Sequence, residues 1–155
     1  MLFRSTLFAI YCAKPSDTPD SAPQCFFMDH DGVIFRESPN IEGTLILKFT
    51  LEGPTPRLGN IVFSSAEINK FESWVNEFKE RMNLGIVRFQ FKQNAPKDIW
   101  LRTDGGFDVI VAKDSEPGST ASVVKTVLAE KVKEDRNRLE YIDARFGNKV
   151  FYKLR

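Results

Sequence analysis

The sequence predicts an α+β fold: a mainly antiparallel β-sheet, with a mixed edge possible, and two amphipathic helices packed on one of its faces. Three observations predict it. Short apolar runs bounded by turn residues recur along the chain. Two other stretches carry apolar residues at helical spacing. The elements follow the order strands, helix, three strands, helix, two strands, which is typical of a meandering sheet with separate helices.

The first part of the chain is predicted to form short strands. A hairpin is expected where two apolar runs flank His30-Asp31-Gly32, because glycine adopts the positive φ that such turns require. The segment Ala13–Gln24 contains three prolines and is predicted to be a loop. The strands expected here are Arg4–Cys12, Cys25–Asp29, Val33–Arg36 and Thr44–Leu51, with further loops at Glu37–Gly43 and Glu52–Asn60.

Two helices are predicted. Ser64 and Glu67 have the spacing of a capping box at the start of the first helix, and Asn83 to Gly85 is expected to end it. Its apolar stripe consists of Ile68, Phe71, Val75, Phe78 and Met82. The second helix is predicted over Thr120–Glu134, after a loop at Glu116–Ser119 and before a charged turn at Asp135–Arg138, with a stripe of Val123, Val124, Val127, Leu128, Lys131 and Val132.

The remaining strands fall into a central meander and a closing hairpin. The meander is predicted from Ile86–Lys92, Ile99–Thr103 and Phe107–Ala112, with Asp104-Gly105-Gly106 as its last turn. Leu139–Lys153 alternates on both sides of Gly147-Asn148, which predicts a hairpin. Because the final strand is expected at a sheet edge, and an exposed edge can pair with another chain, we interpret it as a docking surface.

Composition excludes several classes of function. A net charge of +1 does not indicate the excess of basic residues that is typical of nucleic-acid-binding proteins. No apolar run approaches the roughly 20 residues that span a bilayer, and Met1–Cys12 lacks the features of a signal peptide, so we interpret it as a strand. The chain as written is therefore expected to carry no anchoring segment.

Two cysteines flank the proline-rich loop. If the runs that end at Cys12 and begin at Cys25 pair as antiparallel strands, the two residues face each other. Either they form a disulfide that closes the loop or they are two buried reduced thiols, and the sequence leaves both open.

The segment Phe26–Phe35 raises an enzymatic alternative. Its Asp29-x-Asp31-Gly32 pattern resembles the first motif of haloacid-dehalogenase-like phosphatases, in which one aspartate is the nucleophile and the second an acid/base. The supporting residues of such a site are not found, and a turn uses Asp and Gly for its own geometry. His30 is expected to be a surface turn residue. We therefore predict a chain that is not an enzyme, with no catalytic residues, no metal site and no cofactor.

Two hairpins together resemble a known family. Tyr141-Ile142-Asp143-Ala144-Arg145-Phe146 is similar to the "YIDLRF" signature that closes the β domain of the bacterial cell-division proteins FtsQ/DivIB. Asp29 to Phe35 resembles the "vDxxGxxF" hairpin near the start of that domain. The resemblance implies an FtsQ β-domain-like fold over residues 13–155, preceded by the end of a POTRA domain in residues 1–12. Ala144 stands where the family usually has leucine, and the family's transmembrane helix and most of its POTRA domain are not in this chain.

The resemblance further implies a scaffold of the division machinery (the divisome) on the extracytoplasmic side of the cell membrane at the septum. In the family, the last strands of the β domain bind FtsB and FtsL, or DivIC, by adding a partner strand to the sheet edge. The positions that match this binding edge are Arg145, Phe146, Asn148, Val150, Phe151 and Tyr152.

Overall fold

A computed structural model describes residues 6–15, 20–43, 45–147 and 149–155. Within these ranges, nine strands form one sheet and two α-helices accompany it. The strands are β1 (Leu7–Lys14), β2 (Gln24–Asp29), β3 (Ile34–Ser38), β4 (Lys48–Glu52), β5 (Ile86–Phe91), β6 (Asp98–Thr103), β7 (Asp108–Ala112), β8 (Leu139–Phe146) and β9 (Lys149–Leu154). The helices are α1 (Ser65–Met82) and α2 (Pro117–Val127), and α2 continues as a π-helical turn (Leu128–Val132) and a 3-10 helix (Lys133–Arg138).

The sheet is mixed. Its strand order is β3-β2-β1-β4-β5-β6-β7-β8-β9. Five of the eight pairings are antiparallel, including the predicted β5–β6–β7 meander and the closing β8–β9 hairpin. The three parallel pairings, β1–β4, β4–β5 and β7–β8, lie inside the sheet and not at an edge, where mixed pairing was expected. Two of these pairings arise because α1, between β4 and β5, and α2, between β7 and β8, are crossover connections, which return the chain parallel to the strand it left. The third, β1–β4, has no helix between its strands, because the β2–β3 hairpin connects them.

Helix α1 begins as predicted. The Ser64 side chain accepts the Glu67 N–H, and the Glu67 carboxylate accepts the Ser64 N–H, so the capping box is complete. Asn83 ends the helix in the left-handed conformation, with φ of 51°. The helix packs against α2, so both helices cover the same face of the sheet, as predicted. Its largest buried side chains are Ile68, Phe71, Trp74 and Phe78.

Helix α2 differs from its predicted bounds. It starts at Pro117, inside the predicted Glu116–Ser119 loop, because Glu116 caps the helix by accepting the N–H groups of Gly118 and Ser119. Proline suits the first helical position, where its missing N–H would have no partner. The regular helix then ends at Val127, and the predicted remainder forms the π-helical turn and the start of the 3-10 helix, which continues through the predicted charged turn to Arg138.

Several strand boundaries also move. β1 runs from Leu7 to Lys14 and pairs with β2 on one side and β4 on the other. The predicted boundary between residues 12 and 13 therefore falls inside a central strand, and residues 7–12 belong to the same sheet as the rest. β3 continues to Ser38, and β4 starts only at Lys48. Arg4 and Thr44, the predicted starts of two strands, lie outside the described residues.

Cys12 and Cys25 are bonded to each other, with their sulfurs 2.03 Å apart. They are directly opposite in the β1–β2 pairing, which resolves the alternative that the sequence left open. They lie with Ile10 in a small apolar cluster, against which Phe27 and Ile46 pack. These β1 positions alternate with residues of the main core, so the disulfide is on the sheet face away from the helices.

Among the helices of the described ranges, none is both long and apolar enough to cross a bilayer.

We expect reduction of the disulfide to destabilise the protein. A cross-link over a sequence separation of 13 residues contributes about 3 kcal/mol in the chain-entropy model. Urea unfolding with and without reductant measures this difference. The matched control is the double variant Cys12→Ala and Cys25→Ala, whose stability reductant should not change. Two reactive thiols in non-reduced wild-type protein would contradict the pairing.

Candidate partner-binding edge

Strand β9 is the last strand of the sheet. It pairs antiparallel with β8, with Ile142 opposite Tyr152 and Asp143 opposite Phe151. No other described strand pairs with it. The backbone N–H and C=O groups on its outer side are therefore available to an added strand. This is the edge that the sequence predicted as the end of the sheet.

Aromatic side chains are exposed at this edge. Phe146 is 53% exposed, Phe151 55% and Tyr152 41%. The Phe146 and Phe151 rings meet edge to face, with centroids 6.0 Å apart. Gly147, with φ of +64°, makes the turn that brings β8 and β9 together. Exposed aromatic rings that cluster at an unpaired strand supply contact area for a partner.

An apolar groove of about 440 Å³ adjoins the helix side of β9. Val150 and Tyr152 form its sheet wall, and Val123 and Val127 of α2 face them. These two valines were predicted to be part of the core stripe of the second helix. In the structure Val124, Leu128 and Val132 are buried, whereas Val123 and Val127 are only half-buried. The groove is completed by Ser122, Thr126 and Lys131.

The sequence pattern did not reveal this groove. It depends on the distance between α2 and β9, and these elements are separated in the sequence by two irregular helical turns and β8. The only local signal is that the apolar stripe of the second helix is wider than a buried stripe needs to be. Lys131 reaches the groove from the π-helical turn, a geometry that often marks functional sites.

Arg145, a predicted binding residue, already has partners within the fold. Its Nε and Nη2 donate to Asp143 Oδ1 and Oδ2 at 2.9 and 2.6 Å, and its Nη1 donates to Asp98 Oδ2 at 2.9 Å. Burial alone would raise the pKa of Asp143, but the hydrogen bonds and charge of Arg145 outweigh it and hold that pKa below its ordinary value. The same contacts raise the pKa of Arg145, against the effect of burial.

The other predicted binding residues differ in accessibility. Val150 is half-buried and packs against the main core, so its outer surface contributes only to the groove. Asn148 lies outside the described residues. Lys149 is exposed, and Lys153 forms an ion pair with Glu140 at 3.2 Å. Phe146, Phe151 and Tyr152 are therefore the predicted residues with large accessible side chains.

The Asp29–Gly32 turn has the hydrogen bonds of a structural turn. Asp29 Oδ1 accepts the N–H groups of Asp31 and Val33, at 2.9 and 3.0 Å. Gly32 has φ of +78°, and a Cβ there would clash with the backbone oxygen of Phe63. Its carbonyl accepts the Val62 N–H, so the turn anchors the segment before α1. Turn geometry thus accounts for both the aspartate and the glycine.

Few side chains near this turn could act in catalysis or bind a metal ion. β2 and β3 are antiparallel, unlike the parallel strands that the phosphatase site needs. The His30 ring lies against Phe8, with centroids 4.7 Å apart, and its Nε2 is 3.8 Å from Glu72 Oε1. In the part of the chain that the structure describes, no three His, Cys, Asp or Glu side chains are grouped so as to hold a metal ion.

A scan against protein-family models and a search of curated proteins both find no match to this chain.

We expect Arg145→Gln to lower the free energy of unfolding by about 2 kcal/mol at pH 7, because it leaves the buried Asp143 carboxylate without its charged donor. Chemical denaturation measures the change. The control Arg138→Gln removes an exposed pair with Asp135 at 3.5 Å and should cost less than about 1 kcal/mol. Equal losses in the two variants would show that the Arg145 contacts add nothing.

The same pair predicts a pH dependence. The pKa of Asp143 is lower in the folded protein than its ordinary value of 3.8. Its contribution to stability is therefore complete above the unfolded pKa and is lost as the pH falls through the folded pKa. The difference in unfolding free energy between wild type and Arg145→Gln should shrink as the pH is lowered below 3.8. A difference that is constant down to pH values well below this would contradict the pairing.

For Asp29, two substitutions separate turn structure from catalysis. Asp29→Asn keeps an Oδ1 acceptor, so we expect it to be nearly as stable as wild type, whereas Asp29→Ala should cost about 1 to 2 kcal/mol. We also expect wild type to show no Mg²⁺-dependent phosphatase activity. Turnover that Asp29→Asn abolishes would instead support the enzymatic alternative.

Proposed function

We propose that this chain is a non-enzymatic scaffold domain of the FtsQ/DivIB type, which acts in septum assembly on the extracytoplasmic side of the cell membrane. It binds an FtsB- or FtsL-type partner, or a DivIC-type partner, by β-augmentation at β9. The observation that carries the proposal is the unpaired outer side of β9, bordered by exposed aromatic side chains and an apolar groove.

The backbone of β9 supplies the first part of the interaction. Its six residues stay extended from Lys149 to Leu154 and are aligned by β8 along most of their length. An incoming strand pairs with a preformed template, so the scaffold side loses little conformational freedom on binding. Main-chain hydrogen bonds of this kind provide affinity but little selectivity.

Side chains on the two faces of β9 supply selectivity. Alternate residues of an added strand point to opposite faces of the sheet. On one face they meet Phe151, which touches Phe146. On the other face they meet the groove between Tyr152 and Val127. A partner strand with apolar residues on both faces therefore fits this edge better than a strand with one polar face.

Charge opposes self-association at the same edge. Lys131, Lys149 and Lys153 lie in or beside it, and among them only Lys153 has an ion-pair partner in the described part of the chain. Two copies joined through β9 would bring these lysines together, which disfavours such a dimer. A partner with Asp or Glu flanking its strand would instead be attracted.

The sequence resemblance supports the same proposed function. The two hairpins that resemble the FtsQ/DivIB family are the β2–β3 hairpin and the β8–β9 hairpin. The first anchors the segment before α1 through the Gly32 turn, and the second forms the candidate edge. One motif thus serves the fold and the other the proposed binding surface.

We expect Phe146→Glu to weaken capture of an FtsB-like peptide about tenfold or more in a pulldown, because it places a charge in the aromatic part of the interface. The fold should persist, since Phe146 is largely exposed. Circular dichroism and thermal unfolding verify this.

The matched control is Leu58→Glu. Leu58 is 56% exposed and lies beside β3, at the opposite edge of the sheet, where the neighbouring Gly59 donates its N–H to Ile34. This variant should capture the peptide as wild type does. Capture that Phe146→Glu leaves unchanged would overturn the proposed binding edge.

A further inference from the structure

We propose a second site, a pocket over β1, β4 and β5 that binds a small molecule through a carboxylate or phosphate group. The three strands are mutually parallel, and the pocket lies toward their carboxyl ends, with a volume of about 320 Å³. Pockets of this size hold small ligands, and the carboxyl ends of parallel strands are a common place for them. The polar side chains of its lining include those of Lys14, Lys48, Thr50, Glu52 and Arg88.

Two buried polar atoms in this pocket have no partner. Arg88 Nε and Thr50 Oγ1 are both inaccessible to solvent, and neither forms a hydrogen bond with any described residue. Buried donors without partners are rare in folded proteins because desolvation is not compensated. The Arg88 guanidinium is always charged, so an anionic acceptor would compensate it best.

A neighbouring arginine, Arg102, has the carboxylate partner that Arg88 lacks. Arg102 is directly opposite Arg88 in the β5–β6 pairing. Its Nη1 is 3.4 Å from Asp108 Oδ1, whereas Arg88 has no ion pair among the described residues. The two side chains start from adjacent positions of the same sheet face, and only the one in the pocket is left without a carboxylate.

The charge of the pocket favours an anion. Lys48 is opposite Arg88 in the β4–β5 pairing, and Lys14 also lines the pocket. The one carboxylate in the lining, Glu52, accepts the Gln93 N–H at 3.1 Å. Lys48 bonds to Asn40 and is 3.6 Å from Glu42, which holds its ammonium group in place. With Glu42 counted beside Glu52, three cations face two carboxylates, so the pocket keeps a net positive charge in a nearly neutral chain.

The arrangement of the hydrogen-bond donors further restricts the class of ligand that the pocket can bind. The two Nη groups of an arginine form a fork that matches two oxygens of a carboxylate or phosphate. The enclosed Nε of Arg88 and hydroxyl of Thr50 become donors to the same group when these half-buried side chains turn toward the pocket. The apolar part of the lining, which includes Cys12, Pro23 and Phe91, leaves room for a short carbon skeleton on the same ligand.

Titration with inorganic phosphate and, separately, with succinate tests this site. Two-dimensional ¹H–¹⁵N NMR of the full chain, at constant ionic strength set with chloride, follows the amides of Thr50, Arg88 and Gln90. We expect saturable shifts at these amides with at least one of the two probes, and the responding probe identifies the group that is bound. In Arg88→Gln the affinity should fall about tenfold or more.

Arg102→Gln is the matched control, because it removes the same charge from the adjacent position and should keep wild-type affinity. Thr50→Val, a change of similar shape without the hydroxyl, should weaken binding while leaving the fold unchanged. No saturable shift with either probe, or equal affinity in wild type and Arg88→Gln, would overturn the proposal. The pocket is four strands from β9, so peptide capture at that edge is independent of either outcome.

Discussion

Phenylalanine packing between α1 and the middle of the sheet is the interaction on which the rest of the structure depends. Phe49 of β4 stacks on Phe89 of β5 with ring centroids 5.1 Å apart, and Phe71 of α1 lies 5.0 Å from Phe49. Phe63, in the segment that leads into α1, is also 5.0 Å from Phe71. These rings fix the helix over the parallel β4–β5 pair, and burying each large side chain contributes about 1.5 to 3 kcal/mol.

The position of α1 in turn determines the candidate edge. Helix α2 packs against α1 and covers β8, so its outward valines come to face β9 across the groove. The π-helical turn and the 3-10 helix then connect α2 to β8. On the opposite face of the sheet, the Arg145 contacts with Asp143 and Asp98 join β8 to β6 across β7. The proposed binding edge is thus held on both faces, while its outer side stays unpaired.

Local signals in the sequence predicted the local structure well. The Ser64 capping box, the Gly32 turn and the closing hairpin depend on residues close together in the chain, and all three are present. Strand direction was harder to predict, because polar and apolar residues alternate with the same period in parallel and antiparallel strands. The Arg145–Asp98 contact and the α2–β9 groove join residues that are distant in sequence, so no local pattern could predict them. Glu116 was missed because glutamate is an uncommon helix cap.

The proposed function requires that a partner strand adds to β9. Amide hydrogen exchange of the full chain, with and without a saturating FtsB-like peptide, tests it most directly because it reports backbone hydrogen bonds. We expect peptide binding to slow exchange within Lys149–Leu154 and to leave exchange in β3, the other edge strand, unchanged. Slowed exchange confined to β3, or peptide binding with no added protection in β9, would contradict it.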